Sequence, residues 1–169
     1  IEFILKNKKY SFETTLIGNI QIKNLMFAIV AAYLSKIKIK NILKSIKKIK
    51  PVDGRLEKIG NIKNKSNVIL DYAHTPDALE TIILNIKEDF PLSKISLVFG
   101  CGGNRDKDKR AIMGYIANKY CDSIYLTDDN PRTEKPSLIR AQIKKGLKKN
   151  KFVEITSRAK AISLAVNNL

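Results

Sequence analysis

One glycine-rich stretch, Phe99-Gly-Cys-Gly-Gly-Asn-Arg-Asp-Lys-Asp-Lys-Arg110, most constrains how this 169-residue chain can fold. The apolar run at residues 95–99 predicts a buried strand, and the apolar spacing after the stretch predicts a helix. A glycine-rich turn from a strand into a helix presents backbone N–H groups beside the positive helix end, which suits an anion. No Gly-Lys-Ser or Gly-Lys-Thr follows, so this is not a Walker-type phosphate loop. A tight turn with a solvated charge run remains the alternative.

Two further apolar runs end in polar loops of the same design. Residues 67–71 lead into Tyr72-Ala-His-Thr-Pro-Asp77, and residues 123–127 lead into Asp128-Asp-Asn-Pro-Arg132. Each loop precedes a predicted helix. Because loops after the carboxyl ends of parallel strands lie along one edge of a sheet, the pattern predicts an α/β fold with one site built from three loops.

These loops resemble those of the Mur ligases. Three stretches, Asp71-Tyr-Ala-His-Thr-Pro-Asp-Ala-Leu79, Phe99-Gly-Cys-Gly-Gly-Asn-Arg-Asp-Lys107 and Thr127-Asp-Asp-Asn-Pro-Arg-Thr-Glu134, are similar to the carboxy-terminal half of that family in order and spacing. The resemblance runs from about residue 18 to the last residue. It implies that residues 1–51 are the tail of a central ATPase domain. Residues 52–169 would then form a Rossmann-like, mostly parallel sheet domain, truncated at its end.

The resemblance also implies an activity, since Asp-Asn-Pro-Arg is similar to the motif by which family members recognise diaminopimelate. We expect ATP-dependent addition of meso-2,6-diaminopimelate to UDP-N-acetylmuramoyl-L-alanyl-D-glutamate, through an acyl phosphate, in peptidoglycan synthesis. ATP and Mg²⁺ are the expected cofactors, and the expected partners are these small molecules. A cytoplasmic monomer is expected. The resemblance assigns no catalytic or metal-ligating residue within this chain.

Four residues are expected to contact the nucleotide by resemblance: Asn24, Arg55, Asp71 and His74. Gln21 stands where the family has a first asparagine. Asn24 matches the second, although a helix-start asparagine that caps its own backbone is the alternative. A solvated cation at a linker is the alternative for Arg55, and a general base near neutral pH is the alternative for His74.

The loop after the third apolar run is expected to bind diaminopimelate. Arg132 can hold a carboxylate through two parallel hydrogen bonds, and Pro131 stiffens the loop. Asn130 supplies an amide, Asp129 can accept from an ammonium group, and Arg105 of the glycine-rich stretch can meet a carboxylate. An ordinary Asp-Asn-Pro turn is the alternative.

The formal net charge of +16 does not indicate a nucleic-acid partner. Ile, Lys and Asn make up 65 of the 169 residues, and Lys outnumbers Arg 26 to 6. These amino acids have A/T-rich codons, and the lysines are scattered along the chain instead of concentrated with aromatic residues. We therefore read the charge as compositional drift.

In such a chain an arginine marks places where a planar fork is needed. Four of the six arginines lie in or beside the candidate loops: Arg55, Arg105, Arg110 and Arg132. Arg140 and Arg158 fall in predicted helices, where surface roles are expected.

Two cysteines are too few for a disulfide framework and show no metal-site spacing, so a reduced protein is expected. There is no apolar run long enough to predict a membrane span. Apolar residues at helical spacing in residues 39–49, with lysines between them, predict an amphipathic helix with a core-facing stripe, and membrane attachment is the alternative. No phosphate loop and no final Gly-Lys-Gly-His-Glu motif of the family occurs in the chain. We therefore expect a partial enzyme, with a non-catalytic remnant or binding module as the alternative.

Overall fold

The computed structural model describes residues 1–62 and 66–169, which divide into two compact units. The first unit comprises Ile1–Ile59 with Ile69–Asp71. The second comprises the described residues of Gly60–Val68 with Tyr72–Leu169. The division predicted from sequence, between residues 51 and 52, remains a proposal.

A β-hairpin and two helices form the first unit. Strand β1 (Glu2–Leu5) pairs antiparallel with β2 (Lys8–Ser11). Both residues of the connecting turn, Lys6 and Asn7, have positive φ values of 46° and 61°, which is the twist that closes a two-residue hairpin. Helices α1 (Asn19–Leu34) and α2 (Ile39–Ile46) follow.

The core of the first unit forms where these elements meet, and its buried members are Phe12, Leu25, Ile29, Ile42 and Ile46. The sequence prediction of a core-facing stripe in α2 is confirmed for Ile42 and Ile46, whereas Ile49 lies beyond the helix end and is exposed. Among the described residues, no helix is both long enough and apolar enough to cross a membrane.

Two short strands lie at the division between the units. Strand β3 (Glu57–Asn61) and strand β4 (Asn67–Leu70) form a two-stranded sheet. The boundary between the units passes through both strands.

A parallel sheet is the centre of the second unit. Strands β5 (Ser96–Phe99), β6 (Ser123–Leu126) and β7 (Phe152–Glu154) lie side by side in that order. Phe99 lies opposite Leu126, so the carboxyl ends of β5 and β6 are level. The predicted α/β class with a parallel sheet is thereby confirmed.

Helices cover both faces of this sheet. Because side chains alternate between the faces of a strand, Ile124 and Leu126 face a core shared with α3 (Pro76–Asp89), α4 (Asp108–Tyr120) and α5 (Pro136–Lys144). Tyr125 faces the other side, against Ala161 and Ala165 of α6 (Arg158–Asn167).

Helices α4 and α5 meet through glycine. A Cβ on Gly114 would lie 2.2 Å from the carbonyl oxygen of Ile143, so the α4 backbone needs a residue without a side chain there. This contact turns Gly114 and its neighbours inward. Ile112 and Tyr115 of the same helix are exposed.

Candidate functional site

The loops after β5 and β6 pack against each other backbone to backbone. The N–H of Thr127 donates to the carbonyl oxygen of Phe99 at 3.0 Å, at the ends of the two strands. Further along, the N–H of Gly103 donates to the carbonyl oxygen of Asn130 at 2.9 Å. We call residues 100–107 the glycine loop and residues 127–135 the Asp-Asn-Pro-Arg loop.

Two glycines make this approach possible. A Cβ on Gly100 would lie 2.3 Å from the carbonyl oxygen of Thr127, and a Cβ on Gly103 would lie 1.9 Å from the carbonyl oxygen of Pro131. Real Cβ atoms do not come this close to a backbone oxygen. The glycines are therefore required for contact between the loops.

A buried arginine forms hydrogen bonds with residues of both loops. The Arg110 side chain is fully buried at the start of α4, and its terminal nitrogens donate to both carboxylate oxygens of Glu134 at 2.9 Å. The same guanidinium donates to the carbonyl oxygen of Gly102 at 3.0 Å and to Oε1 of Gln142 at 2.6 Å. Its Nε has no partner among the described residues.

Glu134 completes the connection. Its Oε1 also accepts from the backbone N–H of Asn104 at 2.6 Å. The hydrogen bonds from Arg110 and Asn104 lower the pKa of Glu134 from 4.5 to about 2, and the Glu134 carboxylate raises the pKa of Arg110. Glu134 is therefore ionised at neutral pH, and the pair is held as carboxylate and guanidinium.

Arg132 and Arg105 are the exposed guanidinium groups of these loops. Arg132 adopts a left-handed backbone (φ 50°), and its Nη1 donates to the carbonyl oxygen of Gly103 at 2.7 Å. Its side chain has no ion pair among the described residues, and Arg105 has no hydrogen bond or ion pair among them. Both groups can therefore hold an anionic ligand without first breaking an internal ion pair.

The two aspartates of the Asp-Asn-Pro-Arg loop have different surroundings. Asp128 is paired with Arg140, which also donates from Nε to Oε1 of Glu154 at 2.7 Å. Asp129 lies 3.9 Å from the guanidinium of Arg158, and both side chains are about half exposed. The surface role expected of Arg140 is wrong, because this side chain is 8% exposed and fixes the ends of β6 and β7. Arg158 is exposed as expected.

His74 lies in the loop before α3, and Lys109 at the start of α4 contacts that loop. Nζ of Lys109 donates to the carbonyl oxygen of His74 at 2.7 Å. The His74 ring packs edge-on against Tyr72, with 5.3 Å between ring centroids, and Nδ1 lies 3.2 Å from the carbonyl oxygen of Tyr72. Because a carbonyl only accepts, this contact places the proton on Nδ1 and leaves Nε2 as an acceptor in the neutral ring.

Arg55 of the first unit lies in a turn held from both sides. Nε2 of Gln21 donates to the carbonyl oxygen of Arg55 at 2.7 Å. The N–H of Leu56 donates to Oδ2 of Asp71 at 2.8 Å, and Leu56 itself is buried with a φ of 46°. Asp71 and Gln21 therefore position the turn, while the side chain of Arg55 is exposed.

Asn24 does not cap a helix. Helix α1 begins at Asn19 with Gly18 as its N-cap, and no side chain caps it. Asn24 lies on the exposed surface of the helix, so the capping interpretation is wrong. Its amide makes no hydrogen bond with any described residue.

The donors in the described residues suit a nucleotide anion better than a metal ion. No group of three or more His, Cys, Asp or Glu side chains within residues 1–62 and 66–169 is placed to hold a metal. The exposed Arg55 on its fixed turn does fit a phosphate group.

Comparison of this sequence with known protein families identifies the family. Residues 54–169 match the model of the family described as "Mur ligase, glutamate ligase domain". The chain belongs to the Mur ligase family. The resemblance noted from its motifs is thus confirmed.

Two curated relatives of this Mur ligase chain carry the same name. It is 45% identical over 170 residues to the UDP-N-acetylmuramoyl-L-alanyl-D-glutamate--2,6-diaminopimelate ligase of Rickettsia montanensis, covering all of this chain and 35% of that protein. It is 44% identical over 156 residues to the ligase of the same name from Buchnera aphidicola, covering 92% of this chain and 30% of that protein. The chain spans about a third of the length of these curated relatives.

Solved structures agree on the Mur ligase fold. A UDP-N-acetylmuramoyl-L-alanyl-D-glutamate--2,6-diaminopimelate ligase is 32% identical with a TM-score of 0.66, over 96% of this chain and 33% of that one. A folylpolyglutamate synthase of Mycobacterium tuberculosis, complexed with ADP and AMPPCP, has a TM-score of 0.75 at 19% identity, over 95% of this chain and 36% of that one. The second likeness concerns the fold alone.

Two of the three predicted loops, the glycine loop and the Asp-Asn-Pro-Arg loop, do meet, whereas the His74 loop contacts α4, and some of these connections were missed. Glu134 and Lys109 received no role from the sequence, and Arg110 was noted only as an arginine beside a loop. The sequence signal available for Arg110 was that arginine is rare in this lysine-rich chain. The ligand-binding roles given to Asn24, Arg55, Asp71 and His74, and to Arg105 and residues 129–132, remain proposals.

Proposed function

We propose that this chain supplies the amino-acid-binding part of an ATP-dependent ligase that joins meso-2,6-diaminopimelate to UDP-N-acetylmuramoyl-L-alanyl-D-glutamate. The observation that carries the proposal is the exposed guanidinium of Arg132, held by Gly103 on the Asp-Asn-Pro-Arg loop. Relatives named for this reaction, at 45% identity over the whole chain, support it. The proposed setting is a cytoplasmic monomer.

The chemistry requires activation of the acid. The D-glutamyl side-chain carboxylate takes the γ-phosphoryl group of ATP and becomes an acyl phosphate, releasing ADP. The amine of diaminopimelate then attacks the carbonyl carbon, the C–O bond to phosphate breaks, and the amide forms with loss of a proton. Phosphate is a good leaving group where hydroxide is a poor one, which is why ATP is consumed.

Selection of diaminopimelate needs a group that holds its far end. This amino acid is lysine with a second carboxylate beside the terminal amine. Arg132 is proposed to hold that carboxylate through a planar fork, with Arg105 as a second cation. Asp129 is proposed to accept from the ammonium at the same end, in exchange for its exposed contact with Arg158. Asn130 and Pro131 are proposed to complete the contact and stiffen the loop.

Nucleotide binding is proposed for residues outside the Asp-Asn-Pro-Arg loop. Arg55 would meet the phosphates, and the carboxylate of Asp71 would meet a ribose hydroxyl. Asn24 would contribute its exposed amide, and His74 its Nε2 acceptor. Each role follows from the family resemblance, and the side chains of Asn24, Arg55 and His74 are exposed.

The test is a chimera and a titration. In the chimera this chain replaces the 170-residue region that it matches in the Rickettsia montanensis ligase. We expect the chimera to ligate diaminopimelate in preference to L-lysine. Since a charged hydrogen bond is worth roughly 1.5–3 kcal/mol, Arg132→Ala should raise KM for diaminopimelate by about 10- to 150-fold and narrow the preference over lysine.

Arg132→Lys is the matched control, because it keeps the charge and loses the fork, and it should recover little. Calorimetric titration of the 169-residue chain with diaminopimelate separates binding from turnover. Binding without ligation by the chimera would support the non-catalytic binding module instead. Unchanged kinetics and preference in Arg132→Ala would contradict the assignment.

A further inference from the structure

Glu134 links the two backbone segments that carry the exposed guanidinium groups of the site. It accepts from the N–H of Asn104, which precedes Arg105, and Glu134 itself follows Arg132 by two residues. One carboxylate thus fixes the backbone next to Arg105 and the backbone next to Arg132. Little freedom remains between the two backbones.

Arg110 holds this carboxylate from within the domain. Its two terminal nitrogens each bind one oxygen of Glu134, and one of them also binds the carbonyl oxygen of Gly102. A guanidinium bound through two parallel hydrogen bonds fixes both the distance and the orientation of its partner. Because Arg110 is fully buried at the start of a helix, it forms a rigid base for both loops.

Two apolar side chains could fill the same space, but they could not form these hydrogen bonds. Buried ion pairs are often no more stabilising than hydrophobic residues of similar volume. Here, however, the pair satisfies two backbone groups of the glycine loop, the N–H of Asn104 and the carbonyl oxygen of Gly102. Its contribution is therefore to loop geometry more than to stability alone.

We infer that Arg110 and Glu134 are positioning residues that set the separation of Arg105 and Arg132, and thereby the selectivity for an amino acid with a carboxylate at each end over one with a single carboxylate. The ligand in this inference rests on the proposed function. The mechanical connection between the two loops does not.

The test variant is Glu134→Gln, which keeps the shape but turns an amide N–H₂ toward the donors of Arg110. The matched control is Asp122→Asn. Asp122 likewise accepts from a backbone N–H, that of Ile95 at 2.8 Å, but it does so where β5 and β6 begin, at the opposite edge of the sheet.

The first readout needs no ligand. Amide hydrogen exchange of Gly103 reports its hydrogen bond to Asn130 between the loops, a bond that Glu134 does not itself make. In Glu134→Gln the protection of the Gly103 amide should fall by at least about 10-fold, whereas that of Thr127 in the sheet should not change. In Asp122→Asn both should keep their wild-type protection relative to global stability.

The second readout is the ratio of affinities for meso-diaminopimelate and L-lysine, measured by calorimetry on the 169-residue chain and as kcat/KM in the chimera. Glu134→Gln should lower this ratio by at least about 10-fold, the equivalent of one charged hydrogen bond, and Glu134→Asp should recover part of it. Asp122→Asn should leave it unchanged.

The outcomes separate the two ideas. If the wild-type chain and chimera show no preference for diaminopimelate, the proposed function fails, and the selectivity part of the inference fails with it; loss of Gly103 protection would still establish the connection between the loops. If diaminopimelate is preferred but Glu134→Gln changes neither the protection nor the ratio, the function stands and the inference is overturned. Loss of protection with an unchanged ratio also overturns the selectivity part.

Discussion

The side-chain amide of Gln21 donates to the carbonyl oxygen of Arg55 at 2.7 Å. Gln21 stands where the family asparagine is expected to help hold the nucleotide. In this chain its Nε2 instead holds the backbone of the turn that presents Arg55, and the carboxylate of Asp71 holds the next residue of the same turn. Gln21 therefore positions the turn that carries the Arg55 cation.

Loss of the Gln21 contact should loosen that turn. Gln21→Ala should lower the free energy of unfolding by about 0.5–1.5 kcal/mol, the usual net worth of one hydrogen bond. Gln21→Asn, one methylene shorter, should cost a similar amount because its amide falls short of the carbonyl oxygen. Urea denaturation of the three chains measures both effects. An unfolding free energy that stays at the wild-type value in Gln21→Ala would show that the contact contributes nothing.

Gly103 should be intolerant of any side chain. Gly103→Ala places a Cβ 1.9 Å from the carbonyl oxygen of Pro131, so one loop must move. We expect a loss of about 1–3 kcal/mol or more in unfolding free energy. Gly60→Ala is the matched control, since a Cβ there meets nothing within 4 Å. Equal denaturation midpoints for the two variants would contradict this prediction.

Stability should depend on the ionisation of Glu134. Its pKa is about 2 in the folded chain against 4.5 ordinarily, so its contribution is fully present above pH 4.5 and is lost as the pH falls through 2. The difference in unfolding free energy between wild type and Glu134→Gln should therefore be constant from pH 7 to 5 and narrow below 4.5. Urea titrations across this range measure it. A difference that persists unchanged down to pH 3 would show that the carboxylate is not selectively stabilised.

Arg140 and Arg158 provide a matched pair of ion-pair predictions. Arg140→Ala leaves the carboxylates of Asp128 and Glu154 without their buried partner and should cost about 3 kcal/mol. Arg158→Ala removes only an exposed contact at 3.9 Å and should change stability by less than about 0.5 kcal/mol. Thermal or urea unfolding compares them. Equal losses would mean that burial does not separate the two arginines.

The scattered lysines should not support a nucleic-acid function. If the charge is compositional drift, DNA affinity should be weak, indifferent to sequence and absent near physiological salt. Fluorescence anisotropy of labelled duplexes over a salt series tests this. Tight binding that survives physiological salt, or a clear sequence preference, would restore a nucleic-acid role.

The apolar runs at residues 95–99 and 123–127, with the polar loops that follow them, were enough to predict two parallel strands and the meeting of their loops. The run at residues 67–71 was predicted for the same sheet, but β4 pairs with β3 in a separate two-stranded sheet. The spacing of apolar residues and the residue types found in turns are local properties, so they can be read directly from the sequence. The pairing of charges is not local. Arg110 and Glu134 lie 24 residues apart, and nothing in the sequence distinguishes Glu134 from other acids as the partner.

Arg140 illustrates the same limit. Its position in a predicted helix suggested the surface, but the partners that bury it come from two strand ends and are brought together only by the fold. Asn24 was ambiguous for another reason. Helix α1 starts at Asn19, five residues earlier, and helix starts without a capping side chain leave no sequence signal.

Cys101 and Cys121 are two buried free thiols of the second unit, and their reactivity depends on local opening. Burial raises the pKa of the Cys101 thiol to about 11 and that of the Cys121 thiol to about 12, so neither reacts appreciably as a thiolate while the domain is closed. Cys101 is a buried residue of the glycine loop, and Cys121 lies at the opposite end of the sheet, just before β6. The rates at which an alkylating reagent modifies these two thiols therefore report local opening at each end of the sheet separately.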